Sequence, residues 1–87
     1  MHSERFQKPI RLTHHVQRRM DKREVSIERL LDLIDTGELT WKNTQDAWIH
    51  KHYPDRTDNR LCAAVLIGQA VIVKTVMVDW QPVEDAP

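Results

Sequence analysis

The 87-residue chain has a single cysteine, two glycines, one tyrosine, one phenylalanine and no net charge, thirteen Lys/Arg balancing thirteen Asp/Glu. A lone cysteine forms no internal disulfide, so the fold rests on its core and agrees with a reducing compartment. Cys62 lies inside the apolar run 61–67 and reads as a small buried filler rather than a nucleophile. There is no Gly-rich phosphate loop, no Gly-x-Ser-x-Gly and no paired acidic metal motif, which leaves nucleotide-dependent catalysis and serine hydrolysis without their parts. No apolar run approaches the roughly 18 residues that span a bilayer, and residues 1–5 do not lead into a signal-peptide core. The expectation is a cytoplasmic protein with no membrane partner. At this length one small domain is expected, with residues 1–8 and 81–87 frayed.

The neutral total conceals a division. Residues 1–23 carry seven Lys/Arg against Glu4 and Asp21, whereas residues 24–46 carry Arg29 and Lys42 against six carboxylates. A basic segment of this kind can focus an anionic ligand, and it can equally pair with the acidic segment inside the fold or across a dimer. A neutral whole also argues against the broad basic surface of a strong nonspecific nucleic-acid binder.

The basic residues are patterned. At 100° per residue, Arg18, Lys22, His15, Arg19 and Arg23 share one helical arc, with Asp21 expected to point away. Such an arc combines a proton-transfer group with phosphate-binding charges, and its plainer reading is the solvated face of an amphipathic helix. Thr13 is the expected N-cap of this first helix, about His14 to Lys22, with Val16 and Met20 facing the core. Ser26 caps a second helix, Val25 and Leu30 occupy the hydrophobic-staple positions, and Ile27, Leu30, Leu31 and Ile34 form its apolar stripe. Gly37 is expected to end it in the left-handed conformation.

Strands are expected elsewhere. Residues 9–12 read as a short edge strand, and 38–42 and 47–53 as two further strands around the turn-prone 43–46. After a polar loop at 54–59, residues 60–67 and 70–80 form the strongest strand signals, joined by Gly68-Gln69 as a type II′ turn. That turn pairs Ala63 with Lys74 and Cys62 with Thr75 on two largely covered faces, with residues 81–87 as a tail. Lys74 amid apolar neighbours must reach solvent, a carboxylate or a bound anion.

The run His15-Val16-Gln17-Arg18-Arg19-Met20-Asp21-Lys22-Arg23-Glu24-Val25-Ser26, with the closing strand Val71-Ile72-Val73-Lys74-Thr75-Val76, resembles a small prokaryotic domain-of-unknown-function family. That family is typified by H-A-x-x-R-M-x-x-R-x-I-S near its start and V-I-T-V near its end. It is placed with the barnase, EndoU, colicin and RelE ribonuclease toxins and is similar in outline to BrnT-type toxins. Here Val16 and Val25 replace the family's small residue and isoleucine, and Lys74 is inserted before Thr75. The resemblance covers most of residues 10–79 and implies a RelE-like α+β fold, two N-terminal helices on a mainly antiparallel sheet of about four strands.

It also implies the first helix's histidine and arginines as RNA-processing residues, and a metal-independent endoribonuclease toxin of a toxin–antitoxin or contact-dependent system. The partners would be RNA and a cognate antitoxin, immunity or target protein. Metal-free cleavage needs a base for the 2′-hydroxyl, an acid for the leaving oxygen and cations for the phosphorane. His15 fits a proton-transfer role and Arg19 and Arg23 the phosphate, with Arg18 and Lys22 beside them. His50 is the candidate second proton-transfer group, ahead of His52, and Thr75, Tyr53 and Lys74 are candidate substrate contacts. No cofactor or metal is expected: His50-x-His52 with His14 or His15 lacks a diagnostic zinc spacing. Trp41, Trp48 and Trp80 read as packing residues before base-stacking ones. The alternatives are a catalytically silent member of the same fold that binds protein or nucleic acid, such as a mobile-element inhibitor of a host defence complex, and a housekeeping interaction domain.

Overall fold

A computed structural model describes residues 1–81, so the expected tail at 81–87 lies, but for Gln81, outside the described residues. The order is β1 (His2–Ser3), β2 (Lys8–Leu12), α1 (His14–Lys22), α2 (Ile27–Thr36), β3 (Glu38–Trp41), β4 (Asp46–His52), β5 (Arg60–Ile67) and β6 (Val71–Met77). Both helices pack on one mixed sheet with strand order β1-β2-β6-β5-β4-β3, in which only β2 and β6 run parallel. The α+β architecture is as expected, but the sheet has six strands instead of about four.

Local chemistry sets both helices. Thr13 accepts the Val16 amide at 3.1 Å and Ser26 the Arg29 amide at 3.0 Å, each satisfying an amide that the first helical turn leaves free. Val25 and Leu30 are both buried, as a staple requires. Helix α1 ends in a Schellman arrangement: Val25 N–H reaches Met20 O at 2.9 Å while Glu24 takes the left-handed conformation at φ 54°. A glutamate there is strained, so Glu24→Gly should raise stability by about 0.5–1 kcal/mol in chemical denaturation. A loss of stability would show that the Glu24 side chain contributes more than its backbone costs.

Alternation builds the core. Ile10, Ala47, Ile49, Leu61, Ala63, Val65, Val71, Val73 and Val76 face Val16, Met20, Leu30, Leu33 and Ile34 of the helices. Between Val73 and Val76 the period of two is broken by a bulge opposite Ala64/Val65, which spends one residue, Lys74, and returns Val76 to the core face.

Several local expectations are corrected. Residues 1–8 are anchored rather than frayed: His2 and Ser3 pair with Pro9 and Lys8, and buried Ser3 donates to Asp35 at 2.6 Å. Strand β2 is not an edge, because β1 and β6 flank it. On α2 Leu33 faces inward together with Leu30 and Ile34, Leu31 is only partly buried, and Ile27, expected in the stripe, is 55% exposed. Gly37 is extended (φ −72°, ψ 165°), and glycine is needed there for proximity: a Cβ would lie 2.5 Å from Leu33 O and 2.7 Å from Ile49 Cγ2. Gly68 does not take the positive φ of a type II′ turn, and Ile67 pairs with Val71 across a three-residue loop. The pairings thus shift from those expected, to Ala64 with Thr75 and Cys62 with Met77. The helices cover one face of the sheet, and the opposite face carries half-buried Trp48, Leu66, Ile72 and Trp80.

Candidate anion-binding face

The cationic arc of α1 is built by what the helix buries. Val16 and Met20 occupy one side, so the stems of Arg19 and Arg23 run along the margin of the core and are half-buried, while His15, Arg18 and Lys22 are exposed. All five line one surface groove, and Asp21, expected to point away, stands there too. Arg19 Nε donates to His15 Nε2 at 3.1 Å, one helical turn apart, which puts the neutral ring's proton on Nδ1. Arg23 Nη1 reaches Val76 O at 3.4 Å and ties the arc to β6. Arg19 and Lys22 in the last turn also face the negative end of the helix dipole.

The acidic half of the chain leaves this face alone. Asp32 accepts Tyr53 Oη at 2.5 Å and Lys51 Nζ at 3.0 Å, and these bonds, Tyr53 first, hold its carboxyl below the usual range. Asp35 binds Ser3, Glu38 lies 3.2 Å from His50, and Asp46 accepts Lys74 Nζ at 2.6 Å. Among the described residues, no carboxylate forms an ion pair with Arg18, Arg19, Lys22 or Arg23. The two charged segments are therefore not consumed by each other.

The sheet residues expected beside α1 are elsewhere. Ala47 and Ile49 face the helices, so His50 between Ile49 and Lys51 points to the other side, 5% exposed and with its ring centroid 4.8 Å from that of Trp80. Arg60 Nη1 donates to its Nδ1 at 3.1 Å, and Nε2–H then faces Glu38. Burial above all, with Arg60 adding to it and Glu38 opposing, lowers the His50 pKa and favours the neutral ring. Lys74, the bulge residue, is exposed and pairs with Asp46, one of the three outcomes the sequence left open for it, and Thr75 is half-buried opposite Ala64. Tyr53 is buried against α2, with the Arg29 guanidinium 4.6 Å from its ring centroid, and burial followed by the Asp32 bond raises its pKa. His52 is exposed at the end of β4. Cys62 is buried with its thiol pushed up to about 12, as suits an inert filler.

One residue that positions the face escaped the reading of the polar loop. Arg56 donates from Nη2 to Arg23 O at 2.7 Å and from Nη1 to Glu24 O at 2.9 Å, holding carbonyls at the end of α1. Asp58 holds the same guanidinium through Nε at 2.7 Å and Nη2 at 3.0 Å. The Arg-x-Asp spacing was its one signal, and it is too common to single out.

The geometry thus offers cations and one imidazole on an exposed helix face. Among the described residues, no group of three His, Cys, Asp or Glu is placed to hold a metal ion, and no helix is long and apolar enough to cross a membrane. No protein-family model, curated protein or solved structure matches this chain.

Proposed function

We propose that the exposed face of α1 binds the phosphodiester backbone of RNA. The observation that carries this reading is the absence of any ion pair, among the described residues, to Arg18, Arg19 and Lys22 of α1 and its C-cap Arg23, while Asp32, Asp35, Glu38 and Asp46 are engaged elsewhere. Exposed Arg18 and Lys22, flanked by half-buried Arg19 and Arg23, are available to phosphate, and a localised patch is compatible with zero net charge. RNA, rather than another polyanion, is favoured by the resemblance of the His15–Ser26 run to ribonuclease toxins. A cognate antitoxin or immunity protein with acidic side chains would compete for the same face.

Metal-free cleavage is the second reading, and the His15–Arg19 hydrogen bond favours it because it sets an imidazole beside a phosphate-binding guanidinium. His50 does not supply the second proton transfer, being on the opposite face. Cleavage would rest on His15 alone, taking the 2′-hydroxyl proton and returning it to the leaving 5′-oxygen, with Arg19 and Arg23 stabilising the phosphorane charge.

Fluorescence anisotropy with a labelled single-stranded RNA tests both readings. The double variant Arg18→Ala/Lys22→Ala should bind about tenfold or more weakly at low salt with an unchanged melting temperature, because both side chains are exposed. Equal binding by variant and wild type would remove the proposal. In the same samples, His15→Ala should abolish any strand scission; wild type that binds without cutting is a binder only.

A further inference from the structure

We propose that the chain self-associates through β3, two copies joining their sheets edge to edge in antiparallel fashion about a two-fold axis at Thr40. Strand β3 is the last strand of the sheet, so one of its sides has no partner among the described residues. Which backbone groups face outward follows from the β3–β4 ladder. Lys42 N–H donates to Asp46 O at 2.8 Å, in register with Thr40 opposite Trp48 and Glu38 opposite His50. Antiparallel pairs alternate between bonded and non-bonded, so Glu38, Thr40 and Lys42 turn their amides and carbonyls toward β4. Leu39 and Trp41 therefore present theirs to the open edge.

A second copy can bond that edge only where Leu39 or Trp41 meets Leu39 or Trp41. Three antiparallel registers do this, and charge selects among them. Placing Leu39 opposite Trp41 of the other copy sets Glu38 opposite Lys42 twice, closes four backbone hydrogen bonds and puts Thr40 opposite itself. The registers with Leu39 opposite Leu39 or Trp41 opposite Trp41 leave those charges unmatched. The segment Glu38-Leu39-Thr40-Trp41-Lys42 is thus complementary to its own reverse, as an isologous interface requires.

The side chains agree. Trp41 is 49% exposed on the side of the sheet that Ala47 faces, beside Leu39, which packs on the core, so each indole would cover the other copy's Leu39. Glu38, Thr40 and Lys42 lie on the other side, all exposed. The strand is short, so the dimer is weak and concentration-dependent.

Sedimentation velocity on the full chain, from micromolar to about millimolar concentration, tests the proposal through charge. Wild type should pass from monomer to dimer. Glu38→Lys and Lys42→Glu, each alone, should raise the dimer dissociation constant about tenfold or more, because each puts like charges opposite one another twice. Mixed in equal amounts, the two variants should form a heterodimer, and the double variant E38K/K42E should again dimerise with itself. Circular dichroism establishes that each variant is folded. A separate readout is Thr40→Cys, which should cross-link to itself under mild oxidation, non-bonded antiparallel pairs bringing Cα atoms to about 4.5 Å. Wild type that stays monomeric throughout, or a dimer indifferent to these charges, overturns the proposal.

Discussion

Gly37→Ala is expected to destabilise the protein by about 3 kcal/mol in chemical denaturation, although alanine is comfortable at the observed φ and ψ. The cost is purely one of space. The new methyl would lie 2.5 Å from Leu33 O, 2.7 Å from Ile49 Cγ2 and 3.0 Å from His50 O. Two of those atoms are backbone, fixed by the end of α2 and by β4, so relief requires the helix to move off the sheet. Gly68→Ala is the control, since its Cβ would meet only Gln45 Nε2 at 4.0 Å and its φ is not positive. That change should be neutral or should stabilise by about 0.5 kcal/mol through the unfolded chain. Equal effects at the two glycines would show that the close approach of α2 to β4 is not what Gly37 serves.

Leu30→Ala should cost about 2–5 kcal/mol, the range for emptying a buried leucine site. Leu30 is fully buried between the Val25 staple and the sheet, and three residues earlier Ile27 is 55% exposed. Ile27→Ala should therefore change stability by less than about 0.5 kcal/mol. The contrast fixes the rotation of α2. Comparable losses at both positions would restore the stripe read from sequence and contradict the observed rotation, with Leu33 inward.

Features encoded by neighbouring residues were legible in the sequence. Thr13, Ser26 and the Val25–Leu30 staple state both helix starts within a few residues, and the boundaries of β5 follow from an uninterrupted apolar run between a polar loop and a glycine. Pairings set by distant segments were not legible. A two-residue strand such as β1 has no periodicity to detect, and the parallel contact of β2 with β6 spans most of the chain. The bulge at Lys74 was hidden because Val71, Val73 and Val76 are apolar beside apolar Ile72 and Met77, so neither face announces itself.

The same ambiguity separated the candidate site. On β4, Ala47 and Ile49 face the helices while Trp48 and His50 do not, but tryptophan on the outer face made both faces appear apolar. His15, Arg18, Arg19, Lys22 and Arg23 did assemble, because one helix places them without help from the fold. His50, Lys74 and Thr75 needed the sheet's parity, and Tyr53 needed to know that Asp32 would claim its hydroxyl.

If α1 meets RNA phosphates, the salt dependence of wild-type binding counts how many of Arg18, Arg19, Lys22 and Arg23 take part. A single strand contributes a slope of about −0.7 in log K against log salt for each phosphate neutralised, so four cations predict a slope near −3. For Arg18→Ala/Lys22→Ala the slope should fall to about −1.4. A wild-type slope near zero, or one that the double substitution leaves unchanged, would contradict the account.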